Sequence, residues 1–179
     1  MNTSGATFES VWEMFQETDR RFKENARRFK ETDKKIKKLE ELFTGQWGKL
    51  IESLVEGDLV PLLQQRGISV NETAERIKRE YNGRFYEIDI IAKNGKEVVL
   101  VEVKTTLKSE DVKHYLDTLQ VIREVFPWLQ DKTVYAAVAF LKVDAKIELY
   151  AARKGLFVIR ATGNSASIVN PKSFTPKTF

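Results

Sequence analysis

Cysteine is absent from this chain, and histidine occurs once, at His114. The first absence excludes disulfides, zinc–thiolate sites and cysteine nucleophiles. The second excludes a histidine-cluster metal site within one chain, and leaves a Ser-His-Asp triad only if His114 supplies the base. Long apolar runs are missing as well. Nothing approaches the roughly 18 apolar residues of a membrane span, so no membrane partner is expected. The N-terminus is charged and amphipathic and lacks an apolar h-region, so no signal peptide and a cytoplasmic location are expected. What is present is ordinary for a soluble globular protein. With 179 residues, 42% hydrophobic and 31% charged, the chain can build one domain with a real core under a highly charged surface. A net charge of +4 is compatible with a nucleic-acid partner without demanding one.

The N-terminal third is repetitive. Phe8, Phe15, Phe22, Phe29, Ile36 and Phe43 recur every seven residues, within near copies such as Phe15-Gln-Glu-Thr-Asp-Arg-Arg and Phe29-Lys-Glu-Thr-Asp-Lys-Lys. No Pro or Gly interrupts residues 6 to 44, so the spacing predicts one long helix. A strict seven-residue repeat implies a left-handed supercoil with partner helices. The second seam (Val11, Thr18, Asn25, Thr32, Leu39) is weaker. Two readings compete: an oligomerising coiled coil through residues 8 to 43, or a solvated helix packed on its own domain. Self-association is preferred, because the stripe is too narrow for a globular-core helix. Interleaved acids make its Lys and Arg residues a solvated face rather than a phosphate site.

Thr44-Gly-Gln-Trp-Gly48 is read as a helix break and domain boundary, with an oligomerisation helix over 1–44 and a second domain over 48–179. A helix from about Lys49 to Gln65 contains Pro61, and Gly67 ends it. Residues 68 to 74 form a candidate first strand, and a hairpin covers about 84 to 106. A helix is expected over Ser109–Val125, capped near Ser109 or Asp111. Strands follow at Thr133–Leu141 and Leu156–Ala161, with a helix over 144–154 between them and an edge strand at Ser167–Asn170. The proline-containing tail is expected to be loose. The order predicts an α/β sandwich around a mixed sheet.

The hairpin carries the chemistry. Asn94-Gly95 signals a two-residue type I′ turn, which sets Lys93 opposite Lys96, Asp89 opposite Leu100 and Glu87 opposite Glu102. Asp89, Glu102 and Lys104 then share one face, while Ile88, Val99, Val101 and Val103 enter a core on the other. Alone, Glu102 and Lys104 read equally well as a surface ion pair. Asp89 on the same face, disfavoured in a strand by propensity, shifts the balance, as does Glu56 on the preceding helix. Glu52, one turn earlier, is open to the same solvated reading. Clustered carboxylates repel and shift one another's pKa, and a divalent cation removes that conflict. Mg²⁺, with Mn²⁺ as an alternative, suits oxygen ligands and substrate phosphates.

The pattern Glu56 … Asp89 … Glu102-Val103-Lys104 resembles the PD-(D/E)xK nuclease superfamily. The segments Glu56-Gly-Asp-Leu-Val-Pro, Glu87-Ile-Asp-Ile-Ile-Ala and Val101-Glu-Val-Lys-Thr look like Holliday-junction-resolvase-like predicted nucleases. The N-terminal repeats look like an uncharacterised prokaryotic family that joins such a helix to this core. The resemblance covers about Gly48 to Arg160. It implies a restriction-endonuclease-like mixed sheet flanked by helices, behind a long N-terminal coiled-coil helix. It also implies Asp89, Glu102, the Val103 carbonyl and Glu56 as metal ligands, and Lys104 as the catalytic lysine. The motif's proline is replaced by Ile88, which leaves activity open. Glu87 is a weaker candidate. Lys113 and Gln120 sit where related nucleases carry a polar residue, but read as exposed helix positions, and His114 reads as a surface or structural histidine. The expected activity is metal-dependent hydrolysis of DNA by an oligomer, with RNA still open. The alternative is a catalytically silent nucleic-acid-binding or scaffolding protein of the same fold.

Overall fold

A computed structural model describes residues 7–144 and 146–179. The chain divides into two units, Met1–Gly45 and Gln46–Phe179. Helix α1 (Phe8–Gln64) begins in the first and ends in the second. The expected break at 44–48 is therefore absent. Gly45 and Gly48 cost roughly 1 kcal/mol each in a helix interior, which weakens a helix without ending it. The first proline is Pro61.

In the first unit the heptad stripe is exposed, with Phe22 at 70% and Phe29 at 72%. The helix surface carries i,i+4 ion pairs, among them Arg21–Glu17, Lys23–Asp19 and Arg28–Glu24. Each contributes a few tenths of a kcal/mol to helix stability.

The second unit is a six-stranded mixed sheet in the order β1-β2-β3-β4-β5-β6. Its strands are β1 (Glu72–Tyr81), β2 (Arg84–Lys93), β3 (Glu97–Leu107), β4 (Thr133–Val143), β5 (Phe157–Ala161) and β6 (Ala166–Ile168). Helices α2 (Ser109–Val125) and α3 (Ile147–Arg153) connect the parallel strands β3, β4 and β5. The expected fold class is thus present: a mixed sheet flanked by helices, with a 57-residue helix at the N-terminal end. The start of the expected helix over 144–154 includes Ala145, which lies outside the described residues. The first strand begins at Glu72 instead of Ile68, because Gly67 takes a positive φ of 81° and the chain needs several residues to turn back onto the sheet.

Each sheet face buries its own core. Ile51, Val55, Leu59 and Leu63, spaced i,i+4 on α1, pack with Ile90, Val99, Val101 and Val103. Val112, Tyr115, Leu119 and Ile122 of α2 pack with Ile91, Val98, Leu100 and Val138 on the opposite face. Val98 to Val101 are buried on both faces, as a central strand with a helix packed on each side of the sheet requires. Ile88, expected with Val99 and Val101, instead joins the α2-side core. The β2–β3 ladder ends at Ile90↔Val101, and beyond it β2 is paired with β1 alone, past an interruption at Arg76, where φ is 51°. Asp111 caps α2 by accepting the Lys108 backbone N–H at 2.8 Å.

The tail is anchored instead of loose. Phe179 N–H donates to the Val134 carbonyl at 2.9 Å, and Lys177 N–H to the Gly155 carbonyl at 3.0 Å. Arg123 donates through Nε and Nη2 to the Phe179 carbonyl at 2.9 and 2.7 Å. Gly155 takes a φ of +84°, and a Cβ there would lie 2.3 Å from the Lys177 Cβ. Gly155→Ala therefore meets both backbone strain and a clash. It should lower stability by about 2 kcal/mol or more, read as a lower urea midpoint at unchanged m-value. Gly67→Ala, with a similar φ but open space around it, should lose less.

Candidate functional site

The turn between β2 and β3 differs from expectation. Neither Asn94 nor Gly95 has a positive φ, so a type I′ turn does not form there. The Asn94 Oδ1 accepts the backbone N–H groups of Lys96 (2.7 Å) and Glu97 (2.6 Å), an Asx-type turn. The register shifts by two residues: Lys93 lies opposite Val98, and Ile91 opposite Leu100. The two-residue turn is one hairpin earlier, where Tyr81 pairs with Arg84 and Asn82 and Gly83 have φ of 49° and 72°. Because the side-chain period is two, an even slip keeps the paired stretch of β2 and β3 on its expected faces, and only Ile88, beyond that stretch, changes side. Asp89, Glu102 and Lys104 do line one cleft.

That cleft has a volume of about 530 Å³, within the range of ordinary ligand sites. Asp89, Glu102 and Lys104 come from the sheet, His114, Asp117 and Thr118 from α2, and Arg84, Phe85 and Tyr86 from the start of β2. Where the β2–β3 ladder stops, the Asp89 Oδ2 accepts the Val103 N–H at 2.7 Å. A side chain takes the place of a ladder carbonyl, which satisfies β3 while β2 diverges. The Lys104 Nζ donates to the Glu102 Oε1 at 2.5 Å. Beneath, Tyr115 donates its hydroxyl to the Leu100 carbonyl at 2.8 Å. Burial, reinforced by the Glu102 and Asp89 charges, holds that phenol well above its ordinary pKa, so it remains a neutral donor.

The charges in this cleft are not balanced. Burial is the main cause that raises the Asp89 carboxyl from 3.8 to about 6. The Glu102 charge adds to it, while the Val103 N–H and Lys104 oppose it. For Lys104, burial is the largest influence and pulls its pKa down. The Glu102 charge and hydrogen bond, with Asp89 and Asp111, outweigh it and leave the ammonium above its usual value.

Of the remaining predicted residues, Glu87 and His114 also line the cleft and the others lie outside it. Glu56 is not among the cleft-lining residues; its Oε1 accepts the Thr73 hydroxyl at 2.7 Å. It also shares a hydrogen bond with Glu75, which, with the Glu56 charge, raises the Glu75 pKa. Glu52 is the α1 acid whose charge reaches Asp89. It is 9% exposed and held by Arg76 through Nε at 2.9 Å and Nη2 at 2.8 Å. Spacing could not separate these two acids, which lie one turn apart along the buried Ile51–Val55–Leu59 stripe. Glu87 does not face Glu102. It pairs with Lys78 across β1, at 3.0 Å. Lys113 and Gln120 are exposed and outside the cleft. His114, read as a surface histidine, is exposed yet lines the cleft. Its place beside Asp117 and Thr118 on one α2 face was legible from i,i+3 and i,i+4 spacing.

A mixed sheet whose splayed central hairpin brings two acids and a lysine into one cleft marks an α/β protein with a nuclease-like fold. The chain belongs to the family described as Uncharacterised protein family UPF0102, whose model matches residues 61–156. No curated protein matches it. A solved structure titled "Crystal Structure of Protein of Unknown Function AF1548" is similar at 20% identity, with a TM-score of 0.38. The overlap covers 56% of this chain and 53% of that one, about half of its length, and adds nothing about the site.

Folding holds the Asp89 proton more tightly than the unfolded chain does. The stability this group contributes is therefore complete below about pH 4 and lost as pH rises through about 6. Asp89→Asn keeps an acceptor for Val103 N–H and removes the titration. The stability of the variant relative to wild type should rise by on the order of 2 kcal/mol between pH 4 and 6, then stay level. A flat difference in urea melts across that window would refute the raised carboxyl.

Proposed function

We propose that this protein hydrolyses phosphodiester bonds in DNA with a divalent cation, Mg²⁺ or Mn²⁺, and works as an oligomer. The observation that carries this reading is the convergence of Asp89, Glu102 and Lys104 on one cleft. The donor set fits such a cation. Two carboxylates and one ammonium share the cleft, and burial and the Glu102 charge raise Asp89 to about 6, a conflict that a second positive charge relieves. Asp89, Glu102 and the Val103 carbonyl would hold the ion. When bound, it polarises the phosphate and lowers the pKa of a bound water. Lys104 stays protonated beside its two acids, and so orients the attacking water and offsets charge developing on the phosphate oxygens. Glu56, implied by the resemblance, would act only through water, since its carboxylate already binds Thr73. The closer kinship to Holliday-junction-resolvase-like nucleases belongs to this proposal too, as does RNA as a second substrate.

One observation favours the alternative, a silent nucleic-acid-binding protein. Among the described residues, no three acids, histidines or cysteines lie close enough together to surround an ion. Mg²⁺ answers that objection in part, because it keeps several waters and is held by one or two carboxylates plus substrate phosphates. Location is bounded only by the finding that no helix among the described residues is long and apolar enough to cross a membrane.

Lys104→Ala should lower Mn²⁺-dependent cleavage of labelled DNA by about a hundredfold or more, while folding and DNA binding stay near wild type. Mn²⁺ should also raise the melting temperature of wild type and not of Asp89→Asn. Retained cleavage in Lys104→Ala would remove that residue from the mechanism. No cleavage and no metal-induced shift would favour the silent protein.

The heptad stripe supplies the proposed oligomer. Its exposed phenylalanines, three of them (Phe15, Phe22 and Phe29) in near-identical repeats of acids and bases, match a second copy of the same helix more readily than an unrelated partner. Phe22→Glu with Phe29→Glu puts charges into that seam. Sedimentation should show the full chain moving to a smaller species, with the second unit's melting transition unchanged. An unaltered mass would place the interface elsewhere.

A further inference from the structure

The β1–β2 hairpin extends past the rest of the sheet. β2 pairs with β1 from Lys93 back to Arg84, but with β3 only from Lys93 to Ile90. Residues 77–88 therefore form a two-stranded arm joined to the sheet at its base. The arm is braced. Ile77, Tyr81 and Tyr86 pack against the α2-side core, and the Tyr81 hydroxyl donates to Glu124 on α2 at 3.2 Å. Its tip is a tight turn with positive φ at Asn82 and Gly83. This braced element presents Arg84 and Phe85 at the rim of the cleft that holds Asp89, Glu102 and Lys104.

Neither residue is accounted for by packing. Phe85 is 81% exposed, between exposed Arg84 and half-buried Tyr86. Arg76 and Lys78 on the same arm are matched by Glu52 and Glu87, whereas Arg84 makes no ion pair among the described residues. A single exposed Phe is unremarkable on a surface. A free guanidinium beside it, both bordering a cleft with phosphodiester-cutting chemistry, is a more specific combination. The guanidinium fits a phosphate. The ring fits the face of a nucleobase, and any base will serve because every base has such a face. In a continuous duplex those faces are already covered by neighbouring bases, so the ring has nothing to stack on.

We propose that Arg84 and Phe85 hold an unpaired nucleotide at the mouth of the cleft, which makes nucleic acid with a single-stranded segment the substrate class. This inference rests on the nuclease reading for the cut, but not for the binding. Held by phosphate and base, that nucleotide would set which linkage lies over Asp89 and Glu102.

The test uses the full chain, a labelled oligothymidylate and a fully paired duplex of equal length, without divalent metal for binding and with Mn²⁺ for cleavage. Wild type should bind the single strand more tightly than the duplex. Phe85→Ala should weaken single-strand binding about tenfold or more and leave duplex binding little changed, while Phe85→Trp retains it. Arg84→Ala should weaken both and reduce the salt dependence by about one released counterion. Lys78→Ala, whose ammonium is already paired, should do little. Cleavage should follow the same order. Single-strand preference with no cleavage would end the nuclease reading and keep this one. Efficient duplex cleavage indifferent to Phe85→Ala would do the reverse. If Phe85→Ala changes the sedimenting mass and not nucleic-acid binding, the ring is a protein contact and the proposal fails.

Discussion

The hydrogen bond from Val103 N–H to the Asp89 carboxylate is the point on which the site turns. Antiparallel strands ordinarily satisfy one another's backbone groups to the end of their overlap. Here pairing stops at Ile90 and Val101, and a side chain accepts the next inward N–H. The central strand keeps its hydrogen bonds while its neighbour swings away, and the gap between them becomes the cleft. One carboxylate thus satisfies the ladder and stands in the site. That constraint ties the position of Asp89 to the backbone of the residue between Glu102 and Lys104, so the three groups cannot drift apart without breaking the strand. Precision of this kind comes from regular elements and not from loops.

The cost of the arrangement is electrostatic. A carboxyl pushed up to about 6 by burial and a neighbouring acid, beside an ammonium that burial disfavours, is a poor choice for stability alone. Replacing both acids by apolar residues would remove the conflict, as exchanges of buried ion pairs for hydrocarbon often do. Local rules broken in this way concentrate where a protein binds or reacts. The Glu52–Arg76 pair shows the contrast. It too is set near the sheet, but two-pronged hydrogen bonding satisfies it, and its chemistry is that of a brace. It is not without strain, since Arg76 takes a φ of 51° opposite the place where Asp89 leaves the ladder.

Much of this was legible in the sequence, for reasons that differ by element. Helix α2 begins and ends where its apolar spacing and Pro127 put it, because local signals agreed with the packing. The shared face of Asp89, Glu102 and Lys104 survived a wrong turn and a wrong register, since parity is a cruder and safer property than pairing. The turn itself was misassigned because two Asn-Gly pairs lie twelve residues apart and propensity cannot say which one closes on two residues; the sheet decides, by extending β1 alongside β2. The helix break at Gly45 and Gly48 failed for a related reason. Glycine lowers helix propensity without forbidding the conformation, and nothing nearby offered an alternative. Glu52 and Glu56 could not be told apart, because a difference of one helical turn is settled by where α1 lies on the sheet.

The two units pose different physical problems. The second buries apolar residues on both faces of a sheet. The first cannot hide anything: a single helix has one stripe and no interior. Ion pairs along its surface add only tenths of a kcal/mol each, and an isolated helix gains little from propensity beyond that. A large apolar side chain at every seventh position, phenylalanine at all but Ile36, is the least economical way to keep such a helix soluble. Side chains of that size, at a spacing that drifts around a straight helix, remain in register only if helices coil about one another. The repeat is the surface that the proposed oligomer would bury between copies.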